Sequence, residues 1–209
     1  MNIYLLRHGQ TNLNRDGKYQ SAVDKDLNEF GISQAELLGQ RLKSYNIEVI
    51  YSSDLKRVVG TSEIINKYIN KEIIIKKEFR EINMGEWDTL TIEERNISHK
   101  EYAKEWSKQI KDMPYPQGEC GEDVSKRAMK IIDEIVEKEY ENVVISTSGG
   151  TISIIISHFL GLDQHKRFNM DIDNCSISIV KYNVINNKMN VNCINDTGHL
   201  KELLTDIVS

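Results

Sequence analysis

Apolar positions along this chain follow two alternating rhythms. Short unbroken runs at residues 3–6, 48–51, 72–77 and 142–145 have the length and β-branched content of buried strands. Between them, apolar residues recur at helical spacing. Ala35, Leu38 and Leu42, widened by Leu37, predict a helix to about Tyr45, and Val58, Ile65 and Tyr68 predict a second. Ser52-Ser53-Asp54 supplies N-cap candidates for that second helix. Val124, Ala128, Ile131, Ile132 and Ile135 are the stripe of a long helix over 119–140, and 151–160 is a short apolar helix stopped by Gly161. Residues 176–182 and 189–194, separated by Asn186-Asn187, read as a hairpin. The rhythm breaks over 79–116, which holds Trp87, Trp106 and two short helical patterns and ends at Pro114 and Pro116.

Strands alternating with helices predict an α/β fold. The expected form is a three-layer αβα sandwich, with a mostly parallel central sheet of about six strands once the hairpin is counted. The length, 209 residues, suits one domain over 1–209 with a small helical insertion at roughly 82–117, over the active edge. Open sheets of this kind bind ligands outside the carboxyl ends of their strands. Each of the four strands runs out into polar chemistry: Arg7-His8-Gly9, residues 53–57, Arg80-Glu81, and Ser148-Gly149-Gly150. The alternation alone predicts that these groups meet on one edge.

Charge narrows the partners. Charged residues make up 28% of the chain with both signs interspersed, and the net charge is −5. Without a basic block, a nucleic-acid partner is not expected. No stretch reads as a signal peptide or membrane span, so no membrane partner is expected either. Cys120, Cys175 and Cys193 are odd in number and widely spaced, which predicts reduced thiols and a cytoplasmic location. An acidic protein can still hold a local cationic pocket for a small anion. Oligomeric state stays open, a homodimer included.

The chemistry at the expected edge is one imidazole (His8), two guanidiniums (Arg7 and Arg57) and one carboxylate (Glu81). That set fits phosphoryl transfer without a metal or other cofactor. His8 would attack, the arginines would neutralise the phosphoryl oxygens, and Glu81 would protonate the leaving alkoxide. A helix beginning at Gly150 would point its positive end at the same place. A metal site is disfavoured because no second His or Cys stands at ligand spacing from His8. Taken singly, each residue also has an ordinary reading: a turn histidine, surface arginines, a solvated carboxylate. Trp87 and Trp106 read as packing residues. The Ser148-Gly149-Gly150 turn lacks both G-x-G-x-x-G and the P-loop lysine.

A run of ordered motifs lifts those single readings. Leu6-Arg7-His8-Gly9-Gln10-Thr11 with Asn14 resembles the signature of the histidine phosphatase superfamily, whose fold is phosphoglycerate mutase-like. Asp26-Leu27-Asn28 with Gly31 and Gln34-Ala35, then residues 52–57 with Thr61, resemble its next two stretches. Residues 80–87, and Gly118-Glu119 with Asp123-Val124 and Arg127, resemble two more, with Cys120 where serine is usual. The resemblance extends to about Leu200 and is similar to small bacterial members such as ribazole phosphatases. It implies a metal-independent phosphomonoester hydrolase acting on a small phosphorylated metabolite, with His8 as the residue that becomes phosphohistidine. Arg7, Asn14 and Arg57 would bind the phosphoryl group, with Ser148 and Gly149 at the turn beside it, and Glu81 would donate the proton.

One departure matters. The family's fourth motif ends its strand in His-Gly, and Ser148 stands in the histidine's place. Serine brings one hydrogen bond and no charge, and losing one donor to transition-state charge typically costs roughly 10²–10³ in rate. Reduced activity is therefore expected. The alternatives are a catalytically silent phospholigand-binding relative, a residue elsewhere that substitutes, a deliberate substitution, or a phosphoglycerate-type mutase. Of the remaining histidines, His99 in the insertion is the candidate substitute, while His158, His165 and His199 read as packing or surface residues.

Overall fold

The computed structural model describes residues 1–201 and 203, so residues 202 and 204–209 of the expected 1–209 span lie outside the described ones. Six strands form one sheet: β1 (Asn2–Arg7), β2 (Val49–Ser52), β3 (Glu72–Ile75), β4 (Asn142–Thr147), β5 (Ile177–Asn183) and β6 (Lys188–Asp196). Their spatial order is β3-β2-β4-β1-β5-β6. The first four are mutually parallel where they pair, β5 runs antiparallel to β1, and β6 antiparallel to β5. The expected mostly parallel sheet of about six strands is what forms.

The period of two explains the layers. In β1, Ile3 and Leu5 enter one core while Tyr4 and Leu6 enter the other. The first core is closed by α6 (Gly121–Val136) and α7 (Gly149–Phe159), through Ile131, Ile132, Ile152 and Ile155. The second is closed by α2 (Glu29–Leu42) and α3 (Lys56–Ile69), through Leu38, Leu42 and Ile65. A one-turn helix, α1 (Asn12–Arg15), follows β1 and is capped by Thr11. With helices on both faces, the strands are apolar on both sides, which is why they appear in the sequence as unbroken runs.

Register sets the functional edge. Leu6 pairs with Ser146 and Arg7 with Thr147, while Ser52 also pairs with Ser146. The carboxyl ends of β1, β4 and β2 therefore finish level. His8 N–H donates to the Thr147 carbonyl at 3.0 Å, which places Ser148 one step beyond the partner of His8.

Several boundaries differ from expectation. α3 starts at Lys56 with Leu55 as an uncapped N-cap, because Asp54 instead accepts two 2.6 Å bonds from Arg80. α6 is shorter than 119–140, and its start is set by Asp123, whose Oδ2 accepts from both the N–H and the thiol of Cys120. α7 starts two residues early, with Ser148 as its N-cap. Residues 82–117 hold α4 (Ile92–Ser98) and α5 (Lys100–Trp106). Here Trp87 is 1% exposed and stands edge-on to Tyr102, Trp106 and Tyr115 at 5.3–6.0 Å. Val124 of α6 and Ile154 of α7 join that cluster, so this segment packs on the sandwich through a core of its own.

Candidate active site

His8 sits immediately after β1, where Gly9 lets the chain pass close to α2. A Cβ on Gly9 would lie 2.5 Å from the Gly31 carbonyl oxygen, and one on Gly31 would lie 2.1 Å from that of Gln10. Only glycine fits at both crossings. The His8 ring is 2% exposed. Its two nitrogens have fixed roles because their partners have only one. The Gly9 carbonyl can only accept, so Nδ1 donates to it at 2.7 Å. The Arg57 guanidinium can only donate, so Nε2 accepts from Arg57 Nε at 3.3 Å. Burial, then Arg57 and Arg7, hold the His8 pKa well below its usual value. The imidazole is therefore neutral near pH 7, with its lone pair on Nε2.

Arg57, in the first turn of α3, is fully buried. Its guanidinium donates to the Ser21 and Val23 carbonyls and lies 3.5 Å from Asp24. Arg7, from the end of β1, donates to the Ile172 carbonyl, and its Nε is buried without a partner. Burial lowers both arginine pKa values, and guanidiniums keep their charge in such settings. The Asn14 side-chain oxygen is occupied by Thr11, Gln20 and Asn174. That leaves its amide N–H₂ as the donor available to a ligand.

Glu81 reaches the edge after β3 and lies over the start of α7. Its Oε2 accepts from Gly150 N–H at 3.2 Å and its Oε1 from Ile82 N–H at 2.8 Å. A Cβ on Gly150 would come within 2.5 Å of Glu81 Oε1, so the carboxylate needs glycine there. Thr151 ties the same turn to Arg80 through a 2.9 Å bond to its carbonyl. The four groups expected on one edge thus come together.

Ser148 is fully buried, and its Oγ has no hydrogen-bond partner. His99 does not take its place: His99 bonds Glu86 at 2.8 Å and Ser98 at 2.9 Å. The ring is held on the side of the 82–117 segment by those partners. His158 bonds Ser125, whereas His199, expected at the surface, is half-buried against Arg41 and the Cys175 carbonyl. Burial and Arg41 lower its pKa to about 4. Among the described residues no group of three His, Cys, Asp or Glu side chains is placed to hold a metal ion.

A cavity of about 300 Å³ is lined by Arg7, His8, Asn14, Lys18, Glu81 and Asn174. Asn174 was not legible in the sequence; it donates to the His8 carbonyl at 2.9 Å. Thr61 belongs to a recognised motif, and its hydroxyl accepts from Gly9 N–H at 3.0 Å. A neighbouring cleft of about 490 Å³ contains Arg80 and Arg127, but both are paired, with Asp54 and Glu119. The same cleft also holds Lys77, which is exposed.

A buried neutral imidazole flanked by two guanidiniums, at the carboxyl ends of a parallel sheet, defines an anion-handling α/β protein. The family model described as Histidine phosphatase superfamily (branch 1) matches residues 3–197. The chain belongs to that family. It is 31% identical to "Phosphoserine phosphatase 1" of Hydrogenobacter thermophilus, over 91% of this chain and 92% of that one. It is 30% identical to "Probable phosphoglycerate mutase GpmB" of Yersinia pestis, over 87% and 85%. The solved structure of Bacillus stearothermophilus YhfR superposes with a TM-score of 0.86 at 26% identity, covering 95% of this chain and 98% of that one.

Proposed function

We propose that this protein hydrolyses small phosphomonoesters through a phosphohistidine on His8. The observation that carries this reading is the fixed tautomer of His8, with Nδ1 bonded to Gly9 and Nε2 turned to Arg57. A neutral Nε2 lone pair is a nucleophile that needs no deprotonation. The phosphoryl group would lie between Arg7, Arg57 and the Asn14 amide, beside Gly149 at the start of α7. Glu81 would carry the proton to the leaving alkoxide and later take one from the attacking water. Residues 82–117, read as a small insertion within one domain, would roof the site.

Ser148 supplies no charge to that pocket, so the phosphoryl oxygens would rest on the two arginines, the Asn14 amide and the helix terminus. The reduced rate expected from this is about 10²–10³ relative to a site with a further cationic donor. Rapid quench of the protein with p-nitrophenyl phosphate into alkaline detergent should trap protein-bound phosphate that is stable to base and released by acid, absent in His8→Ala, and Ser148→His should raise turnover. Turnover by a well-folded His8→Ala protein would refute the mechanism. A folded Ser148→His protein with unchanged turnover would refute the donor argument alone.

Likeness to a protein named as a phosphoglycerate mutase supports a second reading. The same phosphohistidine could return its phosphoryl group to another hydroxyl. Net release of inorganic phosphate, equal to substrate consumed, separates hydrolysis from transfer.

A further inference from the structure

The end of β6 and the single turn after it, Gly198–Leu200, lie against the turn 173–175 that precedes β5. Asn195 Oδ1 accepts from Asp173 N–H at 2.7 Å, and its Nδ2 donates to the Asp173 carboxylate at 2.9 Å. His199 Nε2 meets the Cys175 carbonyl at 3.0 Å. A carbonyl only accepts, so the ring proton sits on Nε2, and Nδ1 is left to accept from Arg41 at 3.3 Å. Arg41, on α2, also donates to both carboxylate oxygens of Asp196, and Leu200 is buried in the second core. Residues 195–200 are thus anchored to the sandwich on one side and to residues 173–175 on the other.

That turn touches the nucleophile's backbone. Asn174 Nδ2 donates to the His8 carbonyl at 2.9 Å and to Asn14 Oδ1 at 3.4 Å. Cys175 N–H is shared between the Arg7 and His8 carbonyls, at 3.1 and 3.3 Å. His8 N–H is already bonded to Thr147, so His8 is pinned by β4 through its N–H and by this turn through its C=O. The turn closes on itself through one bond, Ser176 N–H to the Asp173 carbonyl at 3.0 Å. Cys175 also has a φ of 55°, a conformation that a residue with a side chain keeps only where its surroundings impose it. Asn195 and His199 are the surroundings that do so.

We infer that Asn195 and His199 are positioning residues for the reaction: they clasp the 173–175 turn, and the turn fixes the His8 peptide and the Asn14 amide for phosphoryl transfer. The inference rests on the phosphohistidine reading of His8 and extends that site to side chains that do not line its cavity. Their effect on turnover therefore passes through the turn. In-line attack needs Nε2 at a set distance and angle from phosphorus, and a displacement of about 1 Å can cost roughly 10²-fold in rate. Without the clasp, the strained turn relaxes and the His8 carbonyl loses its two donors.

Turnover of p-nitrophenyl phosphate by wild type, His199→Ala, His199→Gln and Asn195→Gly tests the assignment, with rates taken per folded protein. Glycine suits the φ of 58° at Asn195 while removing both bonds to Asp173, so Asn195→Gly reads the clasp even if His199→Ala does not fold. In both loss variants kcat should fall about 10- to 100-fold. Glutamine carries an amide N–H at the reach of the imidazole Nε2, so His199→Gln should stay within about threefold of wild type. Unchanged kcat in the two loss variants would overturn the inference, as would a loss that His199→Gln shares in full.

Amide hydrogen exchange reads the clasp without turnover. Cys175 N–H should exchange at least about 10-fold faster in Asn195→Gly and His199→Ala, while Leu5 N–H in the middle of β1 changes only as far as global stability does. Equal acceleration at both positions means a general loss of stability and refutes the clasp, and so does an unmoved Cys175. If the wild type turns over p-nitrophenyl phosphate while Cys175 exchange stays unmoved, only the clasp fails. If the wild type shows no turnover, the hydrolase reading fails, and Cys175 exchange alone decides whether the clasp holds His8.

Discussion

His8 illustrates how much one hydrogen bond can decide. Without the Gly9 carbonyl at Nδ1, either nitrogen could carry the proton; with it, Nε2 alone is left basic. Burial and the two arginines keep the folded His8 from protonating until pH falls well below 6.5, whereas the unfolded chain protonates it near that value. The unfolded state therefore binds more protons in that window, and folding stability falls as pH drops below about 6.5. Its contribution is fully retained above that pH. The His8 ring resonance should accordingly stay at its neutral position from pH 8 to 6 in a proton NMR titration. Urea unfolding should show a steeper acid loss of stability in the wild type than in His8→Asn. A His8 resonance titrating with a midpoint near 6.5 would contradict the fixed neutral ring. Ser148 is the residue whose consequence the sequence exposed most directly. Its unbonded, buried Oγ shows that the fold tolerates serine there without giving it a hydrogen-bonding task.

At the level of elements, the site is assembled by strand ends that finish level and by one helix terminus. Alternation of runs and stripes was enough to place Arg7, His8, Arg57, Glu81 and Gly149 on one edge. The reason is that parallel strands joined by helices put every strand's carboxyl end on the same side. Finer placement came from competition between partners. The N-cap expected from Ser52-Ser53-Asp54 was lost because Asp54 meets Arg80, a residue 26 positions away. The α7 terminus extends to Gly149 because Glu81 accepts from its first turn. Gly150→Ala should therefore displace the carboxylate rather than the helix. Its Cβ lies too close to Glu81 Oε1, and kcat should fall about 10²-fold with little change in thermal midpoint, as for loss of a positioned proton donor. Steady-state kinetics beside a thermal melt checks both halves. An equal loss of stability and activity would show that the helix start had moved instead.

Over the whole molecule, two apolar cores clamp the sheet and a third, centred on Trp87, attaches residues 82–117 above its functional edge. Truncating Trp87 to alanine removes a fully buried ring from among three aromatic neighbours, and should cost about 3–5 kcal/mol in chemical denaturation. Because Met84 of the same cluster also lines the His8 cavity, KM should rise in that variant more than kcat falls. A stability loss under 1 kcal/mol would mean that the segment repacks freely. No helix among the described residues is long and apolar enough to cross a membrane. Local pattern sufficed for the strands, the layers and the residues carried by the ordered motifs, since period and composition are properties of neighbours along the chain. Asn174 behind His8, the tautomer of His8 and the pairing of His99 with Glu86 left no such trace. Each depends on groups far apart in sequence that only packing brings within hydrogen-bond distance, where burial and available partners, not periodicity, decide which polar atoms are satisfied and which remain open for a ligand.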